Sequence, residues 1–175
     1  MSVHDEIIKL AKDGDREAQR EIYDLLIERV HRLVGRIVGN SDVDDVTQDI
    51  FINVFAKLSS FRHDSKFTTW VHRLAVNDAL QHLRRRRYAT SVGIESAVTN
   101  EKLLSDQMEL KEIVDLAFAR IDPELRSILE LKDGQKLSYL EIADIVGVPI
   151  GTVGSRLNRA RRELHDQLTA LGWEG

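Results

Sequence analysis

The chain has no cysteine, which excludes a disulfide framework and any thiolate metal site. It has only two prolines, Pro123 and Pro149, so few positions are barred from a helix interior. No apolar run approaches the ~20 residues of a membrane span. The opening residues, MSVHDEIIKLAKDGD, lack the basic start and apolar centre of a signal peptide, so a cytoplasmic location is expected. There is no strand-like alternation of any length, no repeat at a fixed period and no Gly-rich phosphate loop. The histidines, His4, His31, His63, His72, His82 and His165, fall in no paired ligand spacing such as H-x-x-x-H. No metal, cofactor or catalytic residue is therefore expected.

The composition, 42% hydrophobic and 31% charged, is that of a globular protein able to bury a core. The net charge of −4 hides an asymmetry. Residues 62–87 hold seven Lys/Arg against two acids, while acids outnumber bases on both sides of that segment. An acidic chain with one concentrated basic segment presents a positive patch rather than a general affinity for polyanions.

Apolar residues recur at three and four almost throughout, which predicts an all-α fold. Helices are expected at 3–11, 16–39 with Asp15 as cap, and 43–58 with Ser41 or Asp42 as cap. The third of these places Val43, Val46, Ile50, Val54 and Leu58 inward and Asp42, Asp45, Gln48, Asp49 and Ile52 outward. Such an acidic row suits either a solvated face or a docking surface for a basic partner helix. A fourth helix is expected at 66–87, KFTTWVHRLAVNDALQHLRRRR, capped by Asp64 or Ser65. Phe67, Val71, Leu74, Ala75, Ala79 and Leu83 share its apolar side, and Lys66, Trp70, Arg73, Asn77 and Arg84 the opposite one. A tryptophan among cations and an amide suits base stacking beside a phosphate backbone, or a ring covered by a neighbouring loop.

Residues 88–107 are small, polar and aperiodic until Leu103, which predicts a flexible linker. Helices at 108–119 and 124–132 follow, the second opened by Asp122-Pro123 and closed by Asp133-Gly134. The stretch LSYLEIADIVGVPIGTVGSRLNRARREL is the most specific signal. Ser138 and Glu141 form a capping box, Ala143 permits a close crossing, Gly147 makes the turn and a second helix begins near Ile150. Val153, Leu157, Ala160 and Leu164 line its inner side, and Ser155, Arg156, Arg159 and Arg162 face outward. This is the arrangement of a helix-turn-helix, whose second helix enters the major groove, where arginine reads guanine edges or grips phosphate.

With these segments in order, the chain resembles the sigma-70 family of transcription initiation factors, and within it the two-domain extracytoplasmic-function (ECF) sigma factors. The resemblance implies two small helical domains, 1–92 and 108–175, joined by a linker at 93–107. DVDDVTQDIFINVFAKLSSF looks like the helix that binds core RNA polymerase, with Asp42, Asp45, Gln48, Asp49 and Phe51 belonging to the surface or fold that meets the clamp coiled coil of the largest subunits. FTTWVHRLAVNDALQHLRRRR looks like the segment that melts and reads the −10 promoter element, through Lys66, Thr69, Trp70, Arg73, Asn77 and Arg84. The helix-turn-helix is similar to the −35 reader, through Thr152, Ser155, Arg156, Asn158, Arg159 and Arg162. Gly154 departs from the family, which usually has Lys or Arg there. The resemblance also implies promoter DNA and an anti-sigma factor as partners. A helix-turn-helix operator-binding regulator that acts without polymerase, or an all-helical metal-dependent enzyme, are the alternative readings.

Overall fold

A computed structural model describes residues 3–91 and 110–173. The expected linker, 93–107, lies outside the described residues. Among the described residues the chain is helical without strands. The helices are α1 (Val3–Lys12), α2 (Arg16–Val38), α3 (Val43–Lys57), α4 (Phe67–Ser91), α5 (Leu110–Arg120), α6 (Pro123–Leu129), α7 (Tyr139–Val146) and α8 (Ile150–Ala170). A 3₁₀ turn, Leu58–Ser60, follows α3, and a wide π turn, Glu130–Gly134, follows α6.

Helix α2 is the spine. Gly14 takes a positive φ of 91°, which lets the chain reverse after α1. Asp15 then caps the helix, its carboxylate accepting the Ala18 N–H at 2.8 Å. Ile22, Leu26, Val30, Leu33, Val34 and Ile37 are all buried, with Val30, Leu33, Val34 and Ile37 fully so. The helix packs against α1, α3 and α4, and also against α5 and α6. The apolar residues of both halves therefore join in one continuous core. Burying an aliphatic side chain of this size contributes ~1.5–3 kcal/mol each, so this helix holds a large share of the fold's stability.

Two expectations about helix ends are corrected. The fourth helix continues to Ser91, four residues beyond Arg87, so 88–91 is not linker. Asp42 sits at the N-cap of α3 without a side-chain capping bond, because its carboxylate is taken by other groups. It accepts from Ser41 at 2.7 Å, His82 at 2.9 Å and Arg86 at 2.8 Å.

The helix-turn-helix forms as its local signals require. The Ser138 side chain accepts the Glu141 N–H, and the Glu141 carboxylate accepts the Ser138 N–H at 2.9 Å. Gly147 is left-handed at φ 68°, and its N–H donates to the Ala143 carbonyl at 2.9 Å. Ile142, Ile145, Val153, Leu157 and Ala160 close the core between α7 and α8. Gly154 lies within α8, where an added Cβ would meet only a Tyr139 ring carbon at an ordinary 3.6 Å. Its lack of a side chain is a cost in backbone entropy with no steric need. Gly154→Ala is expected to stabilise the protein by ~0.5–1 kcal/mol, read as a higher urea midpoint at unchanged slope.

Candidate nucleic-acid interface

Three surfaces carry the predicted residues. On α3, Asp45, Gln48 and Asp49 are exposed, and Ile52 stands beside them at 61% exposure. A single exposed aliphatic side chain is ordinary on a protein surface, and this one sits among acids. Phe51 is on the other side. It is 3% exposed and its ring lies 4.6 Å from that of Tyr23, so it supports the helix from within. Asp42 is turned towards α4 by His82 and Arg86. Burial works to raise its carboxyl, but the hydrogen bonds from Ser41 and His82 and the charge of Arg86 outweigh it and hold the pKa below the ordinary value.

On α4 the predicted polar face divides. Asn77 is exposed. Lys66 bonds Glu141 at 2.8 Å, Arg73 bonds Asp144 at 2.5 Å and Arg84 reaches Glu124 at 3.4 Å. All three acids belong to the second half of the chain, on α6 and α7. Thr69 corrects the expectation of a DNA-facing hydroxyl, because it is 3% exposed. It lies on α4 between Lys66 and Arg73, whose partners are on α7.

Trp70 is also not a free platform. Its ring stacks on Phe67 at 5.8 Å with 21° between planes, and lies 5.5 Å from the ring of Phe61. Of the two readings of this residue, the covered ring is what the geometry supports. The covering segment is the loop from Phe61 to Lys66, in which His63 adopts a left-handed φ of 62°. Beside this loop opens a cavity of about 690 Å³, with Ile7, Ile8, Ile22, Leu25, Phe61 and Phe67 as its apolar wall and Asp5, His63 and Lys66 at its edge.

On α8, Ser155, Asn158, Arg159 and Arg162 are exposed, and Thr152 and Arg156 are partly covered. Arg159 pairs with Glu163 at 2.7 Å one turn on, and Arg156 approaches Glu124 at 3.8 Å. The outward face expected of a recognition helix is therefore present.

One buried group stands apart from these surfaces. His72 is 2% exposed, and neither ring nitrogen has a hydrogen-bond partner. Burial pushes its pKa down to about 4, with the charge of Arg29 adding to the effect and Glu141 opposing it. Glu141 moves the same way for another reason. Hydrogen bonds from Lys66 and then Ser138 hold its carboxyl at about 2.

Residues 22–88 match the family Sigma-70 region 2, and residues 111–164 match Sigma-70, region 4. The ECF RNA polymerase sigma-E factor of Escherichia coli (strain K12) is 34% identical over 183 residues, covering 94% of each chain. This chain belongs to the ECF sigma factors of the sigma-70 family. The ECF RNA polymerase sigma factor SigW of Bacillus subtilis (strain 168) is 28% identical, covering 94% of this chain and 96% of its own. Among solved structures, CnrH in complex with the cytosolic domain of CnrY shares the fold, with a TM-score of 0.70, 23% identity and coverage of 94% and 96%. RpoE of Bartonella quintana, in complex with the anti-sigma factor NepR, has a TM-score of 0.69 at 23% identity, covering 86% of this chain and 96% of its own. Sigma factors are initiation factors rather than enzymes, which removes the metal-dependent enzyme from consideration. Among the described residues, no helix of this sigma factor is long and apolar enough to cross a membrane.

Stability should depend on acid in two separate windows. His72 has a folded pKa below its unfolded value of 6.5, so the unfolded chain binds the proton first. Stability is then complete above pH 6.5 and is lost as pH falls towards 4, by up to ~3 kcal/mol. Glu141, depressed from 4.5 to about 2, adds a loss confined to the range below 4.5. Urea titrations across pH should show the first slope vanish in His72→Phe while the second remains. An unchanged slope between pH 6.5 and 4.5 in that variant would assign the effect elsewhere.

Proposed function

We propose that this sigma factor docks on core RNA polymerase through α3, opens the −10 element with α4 and its preceding loop, and anchors at the −35 element through α8. In this reading residues 1–92 are the docking and opening domain, 93–107 the linker and 108–175 the −35 reader. The observation that supports it is the order of the two matched regions along one chain, the first taking in α3 and most of α4 and the second α7 and most of α8. The protein works in the cytoplasm, where polymerase is.

Docking uses Asp45, Gln48 and Asp49 around Ile52, against the clamp coiled coil of the largest subunits. The acids meet a basic helix and the isoleucine supplies the apolar contact at its centre. Asp42 and Phe51 hold α3 in place from behind.

In −10 opening, Lys66, Arg73 and Arg84 grip the strand, and Asn77 meets bases. Extruding a base costs a few kcal/mol, and stacking against aromatic walls returns ~1–3 kcal/mol. The loop from Phe61 to Lys66 is the base-capturing segment, with the cavity beside it as the receiving space. Trp70 gives that loop a rigid floor, and Thr69 acts as packing.

At the −35 element, Thr152, Ser155, Arg156, Asn158, Arg159 and Arg162 face the major groove. Gly154 withholds one cation that the family usually places there, which lowers phosphate grip at that point. Two modest DNA contacts on one tether then reinforce each other through effective concentration. An anti-sigma factor is a further partner, as in the Bartonella quintana complex. An operator-binding regulator is the weaker reading, since it leaves the acidic face of α3 without a role.

Run-off transcription with core polymerase on a promoter library tests the function directly. No promoter-dependent transcript, with tight binding of the free protein to duplex, would favour the operator-binding regulator. Arg156→Ala and Arg159→Ala should each lower −35 discrimination by ~1–3 kcal/mol per lost base contact. Asp45→Lys with Asp49→Lys should weaken association with core polymerase and leave thermal stability unchanged.

A further inference from the structure

A second cavity, of about 550 Å³, lies among the end of α2, α5 and Arg126 of α6. None of the residues assigned above to polymerase or promoter DNA lines it. Its charged wall carries Arg32, Arg36, Lys111 and Arg126 against Glu112 and Asp115, four cations to two acids. Asp115 is already taken by Arg36 at 2.5 Å, and Glu112 is exposed in the first turn of α5. Leu116 and Phe118 supply apolar surface, and the Arg36 guanidinium lies over the Phe118 ring at 4.7 Å.

Arg126 is the unusual member of this wall. It is 9% exposed, and its Nε has no hydrogen-bond partner among the described residues. Burial pushes its pKa down, with Asp122 opposing that and the charge of Arg87 adding to it. A guanidinium nevertheless stays charged, and a buried charge with an unmade bond is costly. An anion in the cavity would complete that bond and offset the cost. Phosphate oxygens match a guanidinium in pairs, and a chain of phosphates brings several charges to cations spread along one wall. The volume is within the range of small-molecule sites.

We propose that this cavity binds a di- or triphosphate group, free or carried on a nucleoside. Arg126 is the buried anchor, and Arg32 and Lys111 contact the same group from the surface. On a nucleoside, the base lies against Leu116 and Phe118. The site is separate from the faces of α3, α4 and α8 and does not depend on their roles.

Calorimetric titration of the full chain with sodium tripolyphosphate, and separately with GTP, tests this at matched ionic strength without added divalent cation. The parent should give saturable one-to-one binding with tripolyphosphate. Equal affinity for GTP would make the free phosphate chain the ligand, and tighter binding of GTP would add the nucleoside. Arg126→Met should weaken binding at least tenfold. It should also melt no lower than the parent, because an apolar side chain replaces a buried, incompletely bonded charge. Arg32→Gln with Lys111→Gln, both exposed, should weaken binding several-fold and keeps the test decisive if Arg126→Met does not fold. Arg16→Gln with Arg20→Gln, exposed on α2 and outside the cavity, carries the same charge change as that pair and should leave binding unaltered. No saturable binding of tripolyphosphate at millimolar concentration, or an equal loss in the Arg16/Arg20 control, would overturn the site.

Discussion

The burial of α2 on several sides is the constraint on which the rest of the structure depends. Its apolar residues serve α1, α3 and α4 and also α5 and α6, so one helix belongs to two cores. Once α4 and α6 both rest on α2, α7 can lie across α4, and the charges of those helices meet. Polar contacts follow the same geometry. Arg36 of α2 pairs with Asp115 of α5 at 2.5 Å and lies over the Phe118 ring at 4.7 Å, and Gln135 reaches the Arg29 carbonyl at 3.4 Å.

A basic helix will hold any acidic surface brought near it, because Coulomb attraction does not distinguish phosphate from carboxylate. Discrimination comes from density and geometry. A nucleic-acid strand offers a regular series of phosphates, whereas α6 and α7 offer three carboxylates at the margin of an apolar contact. On α3, Asp45 and Asp49 stay exposed and Asp44 reaches His31 at 2.9 Å, whereas Asp42 turns towards α4. There His82 and Arg86 draw the side chain inward, which fixes the start of α3 against α4.

Much of the fold was legible because its signals are local. The Asp15 cap, the Ser138–Glu141 box, the Gly147 turn and the inner stripe of α8 involve residues at most a few positions apart, so periodicity and capping rules reach them. The acidic outer row of α3 and the outward residues of α8 were legible for the same reason, since a helix fixes which side chains share a face. Thr69 and Trp70 were misread because helical phase assigns a face but not its covering. Lys66 and Glu141 are 75 residues apart, and no pattern within α4 announces that α7 crosses there. The inward turn of Asp42, whose partners His82 and Arg86 lie 40 and 44 residues away, was hidden in the same way.

The sequence by itself determined an all-helical chain, the order of its two halves, the helix-turn-helix and which charged residues share a helix face. These depend on short-range rules: one side-chain period, a few caps, and the charge carried by each face. The tertiary structure decided which of those faces are open. It buried Thr69, stacked Trp70 on Phe67, and set Lys66, Arg73 and Arg84 against Glu141, Asp144 and Glu124. That decision rests on how two apolar surfaces share α2, a long-range packing outcome that no local window of residues contains.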